Sequence, residues 1–186
     1  NTPDSGLFGL FYGISPSYMD GVLASRIPSA LITSLSQQGY QFGLFASDSF
    51  RSPLYRQALL ADFSLPVIGD QPNSQTTAQW QRWLGSLPSG HAPWFSWVSY
   101  SGLRDLPERG KERTQRYSRN AKEVDGEIGQ VLNTLEQKGL LENTVVVITA
   151  QQAVALNGKD NDGRRAGLQV PLLIHWPNTP AQTISK

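Results

Sequence analysis

Apolar positions step along the chain by four, three, four, three and four through Tyr117, Ala121, Val124, Ile128, Val131 and Leu135. That spacing lines one face of an α-helix and predicts a long one, with Gly139 placed to stop it. Trp80, Trp83, Leu84 and Leu87 predict a second amphipathic helix over 75–87. Shorter helical patterns run over 6–12, where Asp4 and Ser5 are placed as caps and Gly13 as a stop, from Pro28 to Gly39, and over 53–62. Between them lie short apolar runs of the length of buried strands: 40–46, 94–100, 143–150 and 168–175, with a weaker one at 65–68. Pro171 marks the last of the long runs as an edge or a bulge.

Strands alternating with helices predict an α/β fold, a mostly parallel sheet with helices on both faces, in a single domain over 1–186. Ligands in such sheets bind beyond the carboxyl ends of the strands. The segments placed there are 46–49, 99–102 and 149–152. The Trp80, Trp83, Trp94 and Trp97 set reads as core packing. No internal repeat is present, and the basic, glycine-containing stretch 157–167 reads as a loop.

Composition narrows the classes. A net charge of +1 excludes a polybasic nucleic-acid footprint, and no nucleic-acid partner is expected. No run reaches the roughly 20 apolar residues of a membrane span. The absence of cysteine excludes disulfides and thiolate metal sites. Neither end resembles a natural terminus, so the chain is expected to be a piece of a longer protein, with any membrane anchor outside it.

Gln151 and Gln152 close the apolar run 144–150. A carboxylate and an imidazole there would hold a divalent cation; two neutral amides hold one poorly. Arg113, Arg116 and Arg119, preceded by Arg104, Arg109 and Lys111 and joined by Lys159, Arg164 and Arg165 in a later loop, read either as an anionic-lipid contact or as a solvated face. Asp125 and Glu127 read as part of a solvated helix face, Asp48 as a turn residue, His91 as a surface residue and His175 as a hydrogen-bonded residue of a buried strand. Asp160 and Asp162 lie close enough in sequence to be substitute metal ligands, a role the sequence does not favour.

The block Tyr117-Ser-Arg-Asn-Ala-Lys-Glu-Val-Asp-Gly-Glu-Ile128, followed by 135–149, resembles the helix-and-strand block of the sulfatase and alkaline-phosphatase superfamily. Residues 1–16, 52–60, 94–99 and 168–177 extend the likeness to sulfatase-like periplasmic domains of Gram-negative inner-membrane proteins. The resemblance implies that Thr2 stands at the nucleophile position. Chemistry permits that role, because a hydroxyl at a helix N-terminus is exposed and the dipole favours its alkoxide. It equally permits a plain helix cap. The family's Asp-His falls on Gln151 and Gln152, and its later histidine on Gly167; all three depart from the pattern.

The resemblance therefore implies a non-catalytic, membrane-anchored periplasmic domain without a resident cofactor. It further implies a part in lipopolysaccharide or cardiolipin homeostasis, with those lipids contacted through the full-length protein together with an inner-membrane regulatory partner. Two alternatives stay open. One is a phosphatase, sulfatase or phospholipid-headgroup transferase using Thr2 with Mg, Mn or Zn. The other is a generic protein-interaction domain.

Overall fold

The computed structural model describes residues 2–48, 50, 52–63, 71–88, 93–103, 106, 110–151, 153 and 170–183. The expected strand at 65–68 and the loop at 157–167 lie outside them.

The chain opens with α1 (Pro3–Tyr12), which begins earlier than the sequence pattern places it. Pro3 supplies a preset φ at the first helical position, and Thr2, not Asp4 or Ser5, is the cap. Gly13 ends the helix in the left-handed region at φ 67°. A 3₁₀ turn over Pro16–Tyr18 and α2 (Met19–Ser25) follow, neither legible in the apolar spacing. The third helix, α3 (Ala30–Gln37), is capped by the buried Ser29, whose Oγ accepts from Ile32 N at 3.1 Å; Pro28 lies one residue outside the cap.

The central unit is β1 (Gln41–Ala46), α4 (Asn73–Ser86) and β2 (Trp94–Ser99). The two strands pair in parallel, from Gln41 opposite Trp94 to Ala46 opposite Ser99. Both faces of this pair are apolar. Phe42, Leu44, Phe95 and Trp97 pack against α1, α2, α3 and the π-helical segment Leu54–Leu59, around Phe8, Phe11, Ile32, Leu54 and Leu59. Phe45, Trp94 and Val98 pack the other way, against Trp80 and Leu84 of α4 and Leu135 of α5 (Lys111–Gln137). Helices therefore cover both faces, as the alternating pattern predicts. Gly43 is required on the second face, because a Cβ there would lie 2.7 Å from the rings of Phe45 and Trp83. The tryptophans are core residues: Trp80 is buried with Nε1 donating to Ser96 Oγ, and Trp97 stacks on Tyr55.

After α5, stopped by Gly139 at φ 64°, come a 3₁₀ turn, β3 (Val146–Thr149) and β4 (Leu172–His175). These two strands pair antiparallel and form a ladder of their own. β4 corrects one expectation. It is exposed at all four positions, because its described pairing is with β3 alone. His175 is therefore exposed, although its Nε2 does meet Leu141 O at 3.0 Å. No helix of the described residues is long and apolar enough to cross a membrane.

Candidate functional site

Three features meet the strand ends. The first is the N-terminus of α1. Thr2 Oγ1 accepts from Ser5 N at 3.2 Å and lies 2.8 Å from Ser5 Oγ, so the hydroxyl serves as the helix cap. Among the described residues, no carboxylate, imidazole or amine hydrogen-bonds to it, and an unassisted hydroxyl is a weak nucleophile. Asp4 Oδ2 of the same turn accepts from Ser52 Oγ at 2.8 Å and fastens α1 to the segment before the π-helix.

α1 also touches the end of β3. A Cβ built on Gly6 would overlap the Gln151 carbonyl oxygen and lie 2.8 Å from its carbon. The fold thus brings the first turn after Thr2 against the main chain of Gln151, two positions the sequence singles out from opposite ends of the chain. Gln152, Gly167, Asp160, Asp162 and His91 lie outside the described residues. Among the described residues, no three His, Cys, Asp or Glu side chains converge on one point. Gln151 brings a neutral amide, whereas hard divalent ions prefer anionic oxygens. The described donor set does not fit a superfamily metal, and no chemical step is derived through one.

The second feature is the basic end of α5. Asn73 of α4 bonds Glu123 of α5, and Gln81 bonds Thr134, so the two helices run side by side in the same direction. Residues 111–122 then extend past the start of α4, about 18 Å of helix at 1.5 Å per residue. Arg113, Arg116 and Arg119 lie on these overhanging turns, Arg116 and Arg119 exposed and Arg113 half-buried. Arg164 and Arg165, placed with them by charge alone, lie outside the described residues, as do Arg104 and Arg109.

The third feature is a polar seam at the carboxyl ends of β1 and β2, where the sequence places segments 46–49 and 99–102; its members at 71–79 were missed. Ser47 Oγ lies 2.9 Å from Thr76 Oγ1, and Gln71 Nε2 donates to Ala46 O, Thr76 Oγ1 and Gln79 Oε1. Asn73, Thr76 and Thr77 are buried at the start of α4, and Thr77 Oγ1 meets Tyr100 OH at 2.8 Å. Burial pushes the Tyr100 phenol up; the Thr77 bond pulls it back, and the negative charge of Glu127 pushes it up again. Glu127 corrects the solvated-face reading, being 7 % exposed with Oε2 unbonded among the described residues. The signal was present in the sequence: Glu127 falls three residues after Val124 and four before Val131, on the inward stripe.

The Sulfatase family model matches residues 4–186. The chain is 54% identical over its whole length to the inner membrane protein YejM of Salmonella typhi and to that of Salmonella typhimurium. It is 30% identical, over 97% of its length, to a protein of Haemophilus influenzae. It spans 32%, 32% and 30% of these relatives, about a third of their length. Among solved structures, the lipoteichoic acid synthase LtaP of Listeria monocytogenes superposes with a TM-score of 0.71, over 96% of this chain and 54% of that one, at 12% identity. The phosphonate monoester hydrolase of Agrobacterium radiobacter superposes at 0.57, over 94% and 58%, at 17% identity. At those identities the likeness is one of fold, which agrees with the α/β architecture described above. The chain belongs to the sulfatase family.

Proposed function

We propose that this chain is the periplasmic, sulfatase-like module of an inner-membrane protein in outer-membrane lipid homeostasis, and that it contacts an anionic lipid without turning it over. The observation that carries the reading is the 54% identity, along the whole chain, to an inner membrane protein. Two features of the site support it. Gln151 offers a neutral amide where the family needs an anionic metal ligand. The overhanging turns of α5 carry exposed arginines on the side of the fold where α/β sheets receive ligands. Lipopolysaccharide and cardiolipin both present the phosphates such a surface attracts, at about 1 kcal/mol per basic residue near an anionic surface.

Co-sedimentation tests this. The chain binds vesicles containing cardiolipin or lipopolysaccharide and ignores neutral phosphatidylcholine. Added salt weakens the binding, and Arg116→Gln with Arg119→Gln lowers it by about fivefold per residue. Equal binding to neutral vesicles, or an unaffected double variant, refutes the lipid contact.

One observation favours a second reading: an exposed hydroxyl at the N-terminus of α1, seated against the residue that ends β3. That is the placement of a headgroup hydrolase or transferase using Thr2. Turnover of a chromogenic phosphate ester with Mg²⁺, Mn²⁺ or Zn²⁺, abolished in Thr2→Ala, supports it. With neither lipid binding nor turnover, a protein-interaction role is what remains.

A further inference from the structure

The two sides of the β3–β4 ladder meet different surroundings. The antiparallel register sets Val147 opposite Ile174 and Thr149 opposite Leu172; continued one step, it sets Val145 opposite Trp176. Residues directly opposite, and alternate residues along a strand, share a face. Val145, Val147, Leu172, Ile174 and Trp176 therefore stand together on one side. Each is 46–63 % exposed. The other side carries Val146, which packs with Trp80 and Leu84 of α4 and Leu135 of α5.

The β1–β2 pair meets the same α4–α5 cluster through Phe45, Trp94 and Val98. Its reverse side is covered by α1, α2, α3 and the π-helical segment. The reverse side of β3 and β4 is instead left apolar and exposed. Sheets of this class are normally covered on both faces, and a contiguous apolar patch marks a contact surface.

The size of the patch selects its occupant. It runs about 14 Å along the strand from 145 to 149 and about 10 Å across the pair. One α-helix, about 10 Å wide, covers that with about nine residues. A stable dimer needs about 800 Å² from each copy, several times this footprint. A membrane surface fits poorly, because interfacial faces are rimmed by basic residues and the segments 143–149 and 170–178 hold no lysine or arginine. The stretch 157–165 between the strands has no apolar side chain to offer. Further polypeptide is at hand: the chain spans 32% of its YejM relatives and covers 54% of the LtaP chain whose fold it shares.

We propose that, in the full-length protein, an amphipathic helix from outside residues 1–186 seats its apolar stripe on this face. It gives β3 and β4 the layer that α1, α2 and α3 give β1 and β2. The surface shares no residue with the arginines of α5, so it stands apart from the lipid reading.

Photocrosslinking of the full-length protein in its membrane tests this. p-Benzoylphenylalanine in place of Ile174 forms an adduct within the same polypeptide. Peptide mass spectrometry maps it to a stretch outside residues 1–186 with apolar residues at helical spacing. An adduct to lipid, to a second copy, to another protein or to residues 1–186 overturns the proposal, as does no adduct. Cysteine labelling gives a second readout, since residues 1–186 contain no cysteine. Leu172→Cys reacts with a maleimide about tenfold or more faster in the 186-residue chain than in the full-length protein. Equal rates in the two proteins overturn the proposal.

Discussion

Gly6 and Gly9 occupy the same helix and differ in one respect, which makes them a matched pair. A Cβ on Gly9 meets nothing within 4 Å, whereas one on Gly6 overlaps the main chain of Gln151. Alanine is favoured over glycine in a helix by about 1 kcal/mol, and that gain is common to both positions. Overpacking typically costs about 1–3 kcal/mol, and here the obstacle is backbone, which cannot rotate away as a side chain can. Gly9→Ala therefore stabilises the chain by about 1 kcal/mol, while Gly6→Ala is neutral to destabilising by about 2 kcal/mol. For a domain of this size 1 kcal/mol corresponds to about 2–4 °C, so the two variants separate by about 2–12 °C in Tm. Melting followed by circular dichroism, with urea midpoints as a check, reads the difference directly. If both alanines raise Tm equally, α1 does not approach residue 151 as described, and the juxtaposition of Thr2 with the end of β3 falls with it.

Two further outcomes follow from α1. Thr2→Ala removes the acceptor for Ser5 N and lowers stability by about 1 kcal/mol, while Thr2→Ser retains it; identical urea midpoints for the three proteins would show that the cap contributes nothing. Tyr12 donates to Ile27 O at 2.7 Å, and burial pushes its phenol up to about 12 from 10.0. The native state then holds this proton more tightly than the unfolded chain, so the contribution is fully present below pH 10.0 and lost as pH rises towards about 12. Absorbance titration shows late-ionising tyrosines, one fewer in Tyr12→Phe, where Tyr100 remains; a late phase of unchanged size in Tyr12→Phe shows that the Tyr12 phenol is misplaced.

The sequence made some of this plain and hid the rest for physical reasons. α5 was legible because its apolar steps repeat over 117–135 and Gly139 supplies the stop. β1 and β2 were legible because both faces pack against apolar clusters, so apolar residues run without alternation. α2 was hidden: it spans 7 residues, its N-cap Tyr18 makes no side-chain cap bond, and it ends on Arg26 at φ 50° where a glycine would have signalled the stop. The direction of β4 was hidden because apolar content does not encode which way a strand runs. At the candidate site, Gln151 stood out through its identity alone, but its contact with α1 belongs to tertiary structure. Asn73 and Thr77 were invisible because buried polar groups are ordinary residue types made special only by the partners they find. Glu127 was misread because carboxylates on a long helix usually face water.

Side-chain packing, and not a shared strand, joins the two ladders among the described residues. Among the described residues, β1 and β2 share no strand with β3 and β4. Val146 packs on the cluster of Trp80, Leu84 and Leu135, and the main chain of Gln151 lies against Gly6 of α1. Hydrocarbon contact has no direction and breaks atom by atom, unlike a main-chain ladder that opens as a block. The wall shared by α1 and the end of β3 therefore rests, among the described residues, on side-chain packing and not on a continuous sheet, so trimming Val146 is expected to loosen it first.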